Sequence, residues 1–232
     1  MAKRKRVSYL PAGVDREESR RQGCRPKRRN ILIVCEGERT EPNYFRAFCR
    51  KLVGGEGDRV EVVGIGDNTL HLVEEAKKIV ERRARGEAPP FYHVWVVFDK
   101  DEFPDDQFDN AIRAIETEDA QFRAGASPHW SAAWSNEAFE LWYLLHFQEA
   151  LGGAMGRDEM CRRLSALFAS DLGVVGGYRK NAPDVFERLM ARLPLAIERG
   201  ERAFGKWRGR APHECNPATR VFELVRQLYA YA

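Results

Sequence analysis

Apolar positions fall into two alternating rhythms along the first two-thirds of the chain. Ile31-Leu-Ile-Val-Cys35, Val60-Glu-Val-Val-Gly-Ile65, Tyr92–Phe98 and Trp130-Ser-Ala-Ala-Trp134 are short runs rich in β-branched and aromatic residues. Bounded by Gly, Pro, Asn or Asp, such runs read as buried strands. Between them the spacing becomes helical. Residues 41–52 put Tyr44, Phe45, Phe48, Cys49 and Leu52 on one face, residues 69–85 turn Leu72, Ala76, Ile79 and Val80 inward, and residues 105–123 carry Phe108, Ile112 and Ile115. Strands alternating with helices of this length predict an α/β fold, a mostly parallel sheet of four or five strands with helices on both faces.

After residue 147 the strand rhythm stops. Residues 137–147 form the most apolar helical stretch, with Ser135 or Asn136 placed to cap it. Residues 160–168 are helical, 174–180 are glycine-flexed, and a helical pattern runs from 184 to about 206 with a kink near Pro194. Pro217 is expected to open a last helix that buries Val221, Phe222, Val225, Leu228 and Tyr229. This predicts three parts: a basic arm over 1–29, an α/β core over 30–147, and a mainly helical lobe over 148–232 packed on the core.

Composition narrows the setting. No apolar run approaches a membrane span, and no secretory signal follows the basic start, so no membrane partner is expected. The five cysteines are scattered without a Cys-x-x-Cys pair, which suits a reducing cytoplasm and argues against a zinc site or a disulfide scaffold. Charge is unevenly placed. Residues 1–30 hold eleven Lys/Arg against three Asp/Glu, while the remainder holds 27 against 32. The arm, with Lys27, Arg28 and Arg29 as one of its clusters, reads either as a contact for the phosphates of DNA or RNA or as a solubilising tail. Arg199, Arg202 and Lys206 share a helix face and read equally as a nucleic-acid-binding stripe or a solvated face.

The candidate chemistry lies at strand ends. Glu36 follows the first strand, where it can cap or pair with a neighbour, or serve a site at the edge where ligands bind in an open parallel sheet. Asp99 and Asp101 end the third strand and, two apart, point the same way in extended backbone. Three carboxylates at one rim would suit a hard divalent cation such as Mg²⁺. Glu140, in an aromatic context, needs either a basic partner from the second half or a functional role. Phosphate-loop, dinucleotide, His-Glu-x-x-His and nucleophile-elbow motifs are absent.

Three blocks carry a resemblance: Val34-Cys-Glu-Gly-Glu-Arg-Thr-Glu-Pro-Asn-Tyr-Phe45, Phe98-Asp-Lys-Asp101 and Ser135-Asn-Glu-Ala-Phe-Glu-Leu-Trp142, with looser matches at Tyr178-Arg-Lys180, Ala196-Ile197 and Asn216-Pro-Ala-Thr219. Over roughly 30–232 the chain resembles the RloB-like family of prokaryotic proteins found beside restriction and anti-phage genes, itself similar to Toprim domains. Toprim proteins use a glutamate after the first strand and an Asp-x-Asp after a later one, with Mg²⁺. The resemblance therefore implies Glu36, Asp99 and Asp101 as catalytic and metal-holding residues for Mg²⁺ or Mn²⁺. It implies Asn136 and Glu140 as supporting residues, and Tyr178 and Lys180 as contributors from the second half. The activity implied is a metal-dependent nuclease of a defence system. The alternative is a non-catalytic nucleic-acid-binding or adaptor subunit, and either version admits another defence-system subunit as a partner.

The site is accordingly expected to be composite, with Lys180 catalytic, Tyr178 on a phosphate or base, and Glu140 orienting Lys180. The rival is a purely structural Glu140–Lys180 pair between core and lobe. The arm yields a separate test. Deleting residues 1–29 should weaken binding to DNA or RNA at low salt and flatten the dependence of affinity on salt concentration. A titration series in increasing NaCl measures both, and an unchanged slope would remove the arm from nucleic-acid binding.

Overall fold

The computed structural model describes residues 30–54, 59–66, 69–101, 103–123, 128–150 and 153–230. The arm, with Lys27, Arg28 and Arg29, lies outside the described residues. Strands β1 (Asn30–Cys35), β2 (Arg59–Gly64), β3 (His93–Asp99) and β4 (His129–Asn136) are parallel, and a two-residue β5 (Ala218–Thr219) joins β4 antiparallel. The sheet order is β2-β1-β3-β4-β5. The chain leaves β1 to one side for β2 and returns to the other side for β3. The carboxyl ends of β1 and β3 therefore flank the point where strand order reverses, the usual ligand crevice of an open α/β sheet.

Alternation along the buried strands assigns the two faces. Leu32, Val34, Val94, Val96 and Phe98 pack with Leu72 and Ala76 of α2 (Thr69–Ala84) and with Phe108, Ile112 and Ile115 of α3 (Asp105–Arg123). Ile31, Ile33, Cys35, Trp95 and Val97 face the other way. Their cover comes from α1 (Thr40–Phe48), which runs into a π-helical turn at Cys49–Val53, and from helices late in the chain. These are α4 (Glu140–Leu145), α5 (Arg157–Leu172), α6 (Val185–Leu189), α7 (Leu193–Gly205) and α8 (Val221–Ala230). Tyr44, Phe45, Phe139, Tyr143 and Phe186 meet there mostly edge to face, a geometry that favours aromatic pairs. The α/β fold is the one the sequence predicts, and the mainly helical second half packs on the sheet. No helix among the described residues is long and apolar enough to cross a membrane.

Four local expectations are corrected. Neither Ser135 nor Asn136 caps α4, which starts only at Glu140. Both belong to the end of β4, where the Ser135 hydroxyl meets that of Thr219 at 3.0 Å and the Asn136 amide donates to the His213 carbonyl at 2.9 Å. Pro217 does not open the last helix, and Tyr229, expected in that helix's buried stripe, is exposed. Ala218 and Thr219 are drawn into the sheet beside Asn136 and Ser135, and Thr219 then accepts the backbone N–H of Val221 at the start of α8. Pro194 sits in the first turn of α7, after a short 3₁₀ turn at Met190–Arg192, so the helix restarts there instead of bending.

One turn aims the second half at the sheet edge. Gly176 and Gly177 have φ of 82° and 70°, and a Cβ on Gly177 would lie 2.7 Å from the carbonyl oxygen of Ser165. Gly177→Ala should therefore destabilise the fold by about 1–3 kcal/mol through strain and overlap. Urea denaturation measures this, and an unchanged midpoint would contradict the packing of this turn.

Candidate active site

Glu36 is the first residue past β1, and its backbone N–H still bonds to Val97 of β3. Its Oε2 accepts the N–H of Asp99 at 3.1 Å, so the two strand ends are tied carboxylate to backbone. Chain direction reverses at Gly37, and the missing side chain matters there: a Cβ would sit 2.2 Å from Oε2 of Glu41. Glu41, in the first turn of α1, folds under this glycine and is 6% exposed. Its Oε2 has no hydrogen-bond partner among the described residues. Burial raises its pKa to about 7, aided by the carboxylates of Glu140 and Glu36 and opposed by its own backbone N–H and by Lys180.

Asp99 closes β3 and is 5% exposed. Oδ2 accepts from Arg157 at 3.2 Å, and Oδ1 has no partner among the described residues. Burial, then the charges of Glu41 and Glu140, push its pKa well above the usual carboxylate range, against the Phe139 backbone N–H and Arg157. Asp101 joins Asp99, but not for the reason the sequence suggests. Its φ of 44° takes it out of extended backbone, so strand alternation does not orient it. The guanidinium of Arg157 brings the pair together, with one nitrogen on Asp101 at 2.6 Å and the other on Asp99. Arg157 is the first residue of α5 and is half-buried, and its Nε is buried without an acceptor.

Glu140, the first residue of α4, is 2% exposed and takes a hydrogen bond from the Tyr178 hydroxyl at 3.1 Å. The expected Glu140–Lys180 pair is not formed, in its orienting or its structural version. The Gly176-Gly177 turn sends Tyr178 inward against Tyr143 and Phe168 and leaves Lys180 exposed. Tyr178 therefore supports Glu140 with the hydroxyl that was expected to meet a phosphate. Lys180 nonetheless stays near Glu41. The side chain of Asn181 accepts from the Thr40 hydroxyl at 2.6 Å, and its carbonyl accepts from the Asn43 amide at 3.3 Å. These bonds pin the Lys180 loop to the start of α1, close enough to Glu41 to favour its ionised form.

Other expected residues lie in other surroundings. Asn136 is buried, with its amide on the Pro212 and His213 carbonyls. Arg199 donates to the Leu145 carbonyl, Arg202 pairs with Glu149 at 2.6 Å, and Lys206 reaches the Ala150 carbonyl. All three tie α7 to the chain leaving α4. Glu41 and Arg157 are the site residues that sequence reasoning missed. Glu41 had a signal, standing five residues after Glu36 in the same acidic block, but it read as an ordinary first-turn acid. Arg157 had none beyond the need of buried carboxylates for a cation.

The donor set is oxygen only and carries unmatched negative charge, which in kind fits a hard divalent cation. In placement it is incomplete: among the described residues, no three His, Cys, Asp or Glu side chains are gathered closely enough to hold a metal. An open cleft of about 710 Å³ adjoins the site, with Asp101, Glu137, Arg157 and Asp158 in its lining.

The buried charge has a consequence for stability. Glu41 keeps its proton to a higher pH folded than unfolded, so the folded chain binds more protons between about pH 4.5 and 7 and loses stability as pH rises through that window. Above it the deficit is at most about 3 kcal/mol. Glu41→Gln should melt higher than wild type at pH 8 and close to it at pH 4.5. Thermal melts at the two values check this, and an equal shift at both would show that the carboxylate is not the cause.

No curated protein and no solved structure gives a match to the chain. The model of the RloB-like protein family matches residues 31–228, which takes in all of β1 but Asn30 and most of α8. With Glu36, Asp99, Glu140 and Arg157 all inside a match that spans most of its length, the chain belongs to the RloB-like family.

Proposed function

We propose that this chain is a divalent-metal-dependent nuclease that hydrolyses phosphodiester bonds of DNA or RNA within a prokaryotic anti-phage defence system. One observation carries the reading. Buried carboxylates converge where strand order reverses, and two of their oxygens, Asp99 Oδ1 and Glu41 Oε2, have no hydrogen-bond partner among the described residues. Such groups are costly to bury, and a fold retains them where they serve a ligand. Asp99, Asp101 and Glu36 would hold Mg²⁺ or Mn²⁺, with Glu41 the added candidate. When bound, such an ion supplies activated water and neutralises charge on the phosphate.

The other roles follow from position. Glu36 fixes the backbone of Asp99 against β1. Glu140, held by Tyr178, sets the field around Asp99 and Glu41. Lys180, which is exposed, would meet a phosphate as a point charge on a flexible stem. A second reading, a non-catalytic nucleic-acid-binding or adaptor subunit, is favoured by one feature: Arg157 already neutralises Asp99 and Asp101.

Mutation separates the two readings. Asp99→Asn should lower Mn²⁺-dependent cleavage of DNA or RNA substrates at least about a hundredfold. Its melting temperature should match or exceed that of wild type, because a buried charge has been removed. Cleavage undiminished in this variant would remove Asp99 from the chemistry. An inert wild type that binds nucleic acid with or without metal would establish the adaptor.

A further inference from the structure

The cleft of about 710 Å³ beside the carboxylates has a lining whose chemistry the proposed activity leaves unused. Phe103 and Pro104 supply an aromatic ring and an apolar wall, and Gln107, Glu137 and Asp158 supply polar atoms. The Phe103 segment is held from behind. Its backbone N–H donates to the Lys100 carbonyl at 3.0 Å, while the Lys100 ammonium donates to its carbonyl and pairs with Asp105. Glu137 is fixed as well, because its carbonyl accepts the N–H of Asp101 at 3.0 Å. The half-buried Glu137 carboxylate has no hydrogen bond or ion pair among the described residues, and a Cβ on Gly156 would lie 3.8 Å from its Oε2. Arg157, the cationic member of the lining, is already engaged by Asp99 and Asp101. The cleft therefore offers carboxylate acceptors beside an aromatic ring, a combination that repels phosphate and takes N–H donors.

We infer that this cleft binds an unpaired guanine base of the nucleic acid, with the ring on Phe103 and the pairing edge on Glu137. This role rests on the reading that the neighbouring carboxylates act on nucleic acid. The volume is that of a site for a small planar ligand. Stacking on an aromatic side chain suits every base, so the edge decides which one is kept. Guanine sets two N–H donors side by side, on N1 and on the N2 amine, and a carboxylate accepts such a fork with both oxygens. Adenine and cytosine place a single amine next to a ring acceptor, which would face the carboxylate lone pairs. Uracil and thymine flank one N–H with two carbonyls, which the carboxylate repels. The base has to be unpaired, since a duplex occupies this edge. An arginine of a partner protein carries a similar fork, but its guanidinium fills far less of the cleft. Asp101 lines the cleft and shares Arg157 with Asp99, so a base held here brings its own phosphate toward those carboxylates. Phe103 and Glu137 are thus substrate-binding groups that select the nucleotide presented for cleavage.

The test follows binding by fluorescence anisotropy with the full chain, in EDTA so that the result does not depend on metal. The probes are short labelled single strands of DNA and RNA, thymine or uracil throughout except for one central base. Wild type should bind a strand with central guanine roughly tenfold more tightly than one with central adenine or cytosine. Central hypoxanthine, which lacks the N2 amine, should fall between. Glu137→Gln should lose most of the guanine preference. Phe103→Leu should bind the guanine strand several-fold more weakly, and it keeps the test open if the glutamine protein folds poorly. Equal affinity for every central base overturns the inference and leaves the nuclease reading standing. A guanine preference undiminished in both variants also overturns it, because recognition then lies outside the cleft. Displacement of the guanine strand by N-acetylarginine amide at a lower concentration than by guanosine monophosphate overturns it in favour of a cationic protein partner. Failure of wild type to bind any strand, in EDTA and in Mn²⁺ alike, overturns the inference together with the nucleic-acid reading.

Discussion

Negative charge taken out of water is the constraint on which this architecture turns. Asp99, Glu41 and Glu140 are each more than nine-tenths buried, and Glu41 and Glu140 raise the cost of ionising Asp99, as Glu140 does for Glu41. A sheet edge built only for stability would hold apolar side chains there, since buried ionisable groups are rarely the most stabilising choice. The surrounding structure contains the repulsion with few groups. Arg157 bridges one pair, the Tyr178 hydroxyl reaches Glu140, and Lys180 lies within electrostatic reach of Glu41. All three come from residues after 150, so the second half of the chain completes the charge balance of the first.

That division of labour explains why sheet and cover are inseparable. One face of the sheet is closed by α2 and α3, in the way alternating strands and helices close an ordinary α/β unit. The other face is closed largely by α4 to α8, with α1 between them. Helices that complete the hydrophobic core also carry the groups that face the carboxylates. Arg157 begins α5, and Tyr178 follows directly after a turn packed on that helix. Packing and electrostatics are thus set by the same backbone, and a shift of α5 would change both.

Much of this was legible in the sequence, and the exceptions share a cause. Strand ends are written as apolar runs that stop at an acid, and these place Glu36 and Asp99 at one rim from the sequence alone. The grouping of Asp101 with Asp99 was right although the reason was wrong, because a left-handed residue and an arginine replace strand alternation. Glu41 looked like a favourable first-turn acid, since periodicity does not show that a glycine four residues earlier opens a space beneath it. Tyr178 and Lys180 were both expected to reach inward, but after two glycines with positive φ only Tyr178 does so, and it takes the place on Glu140 expected of Lys180. Arg199 and Arg202 do share α7, with Lys206 directly after it, but backbone carbonyls and Glu149 engage them, and spacing alone cannot reveal such partners. The failures arise where long-range contacts, not local period, decide which way a side chain turns.

The small strand β5 bears on how the protein is made. Ala218 and Thr219 close the edge of the sheet next to Ser135 and Asn136, and through Thr219 they anchor the start of α8. A chain emerging from the ribosome exposes its four parallel strands and all its rim acids long before this clasp arrives. Until then the sheet keeps an open flank, and the helices that shield one of its faces lack their last member. Pairings across such sequence distances form slowly, after local helices. The crowded arrangement of carboxylates forms only once the residues after 150 have joined the sheet.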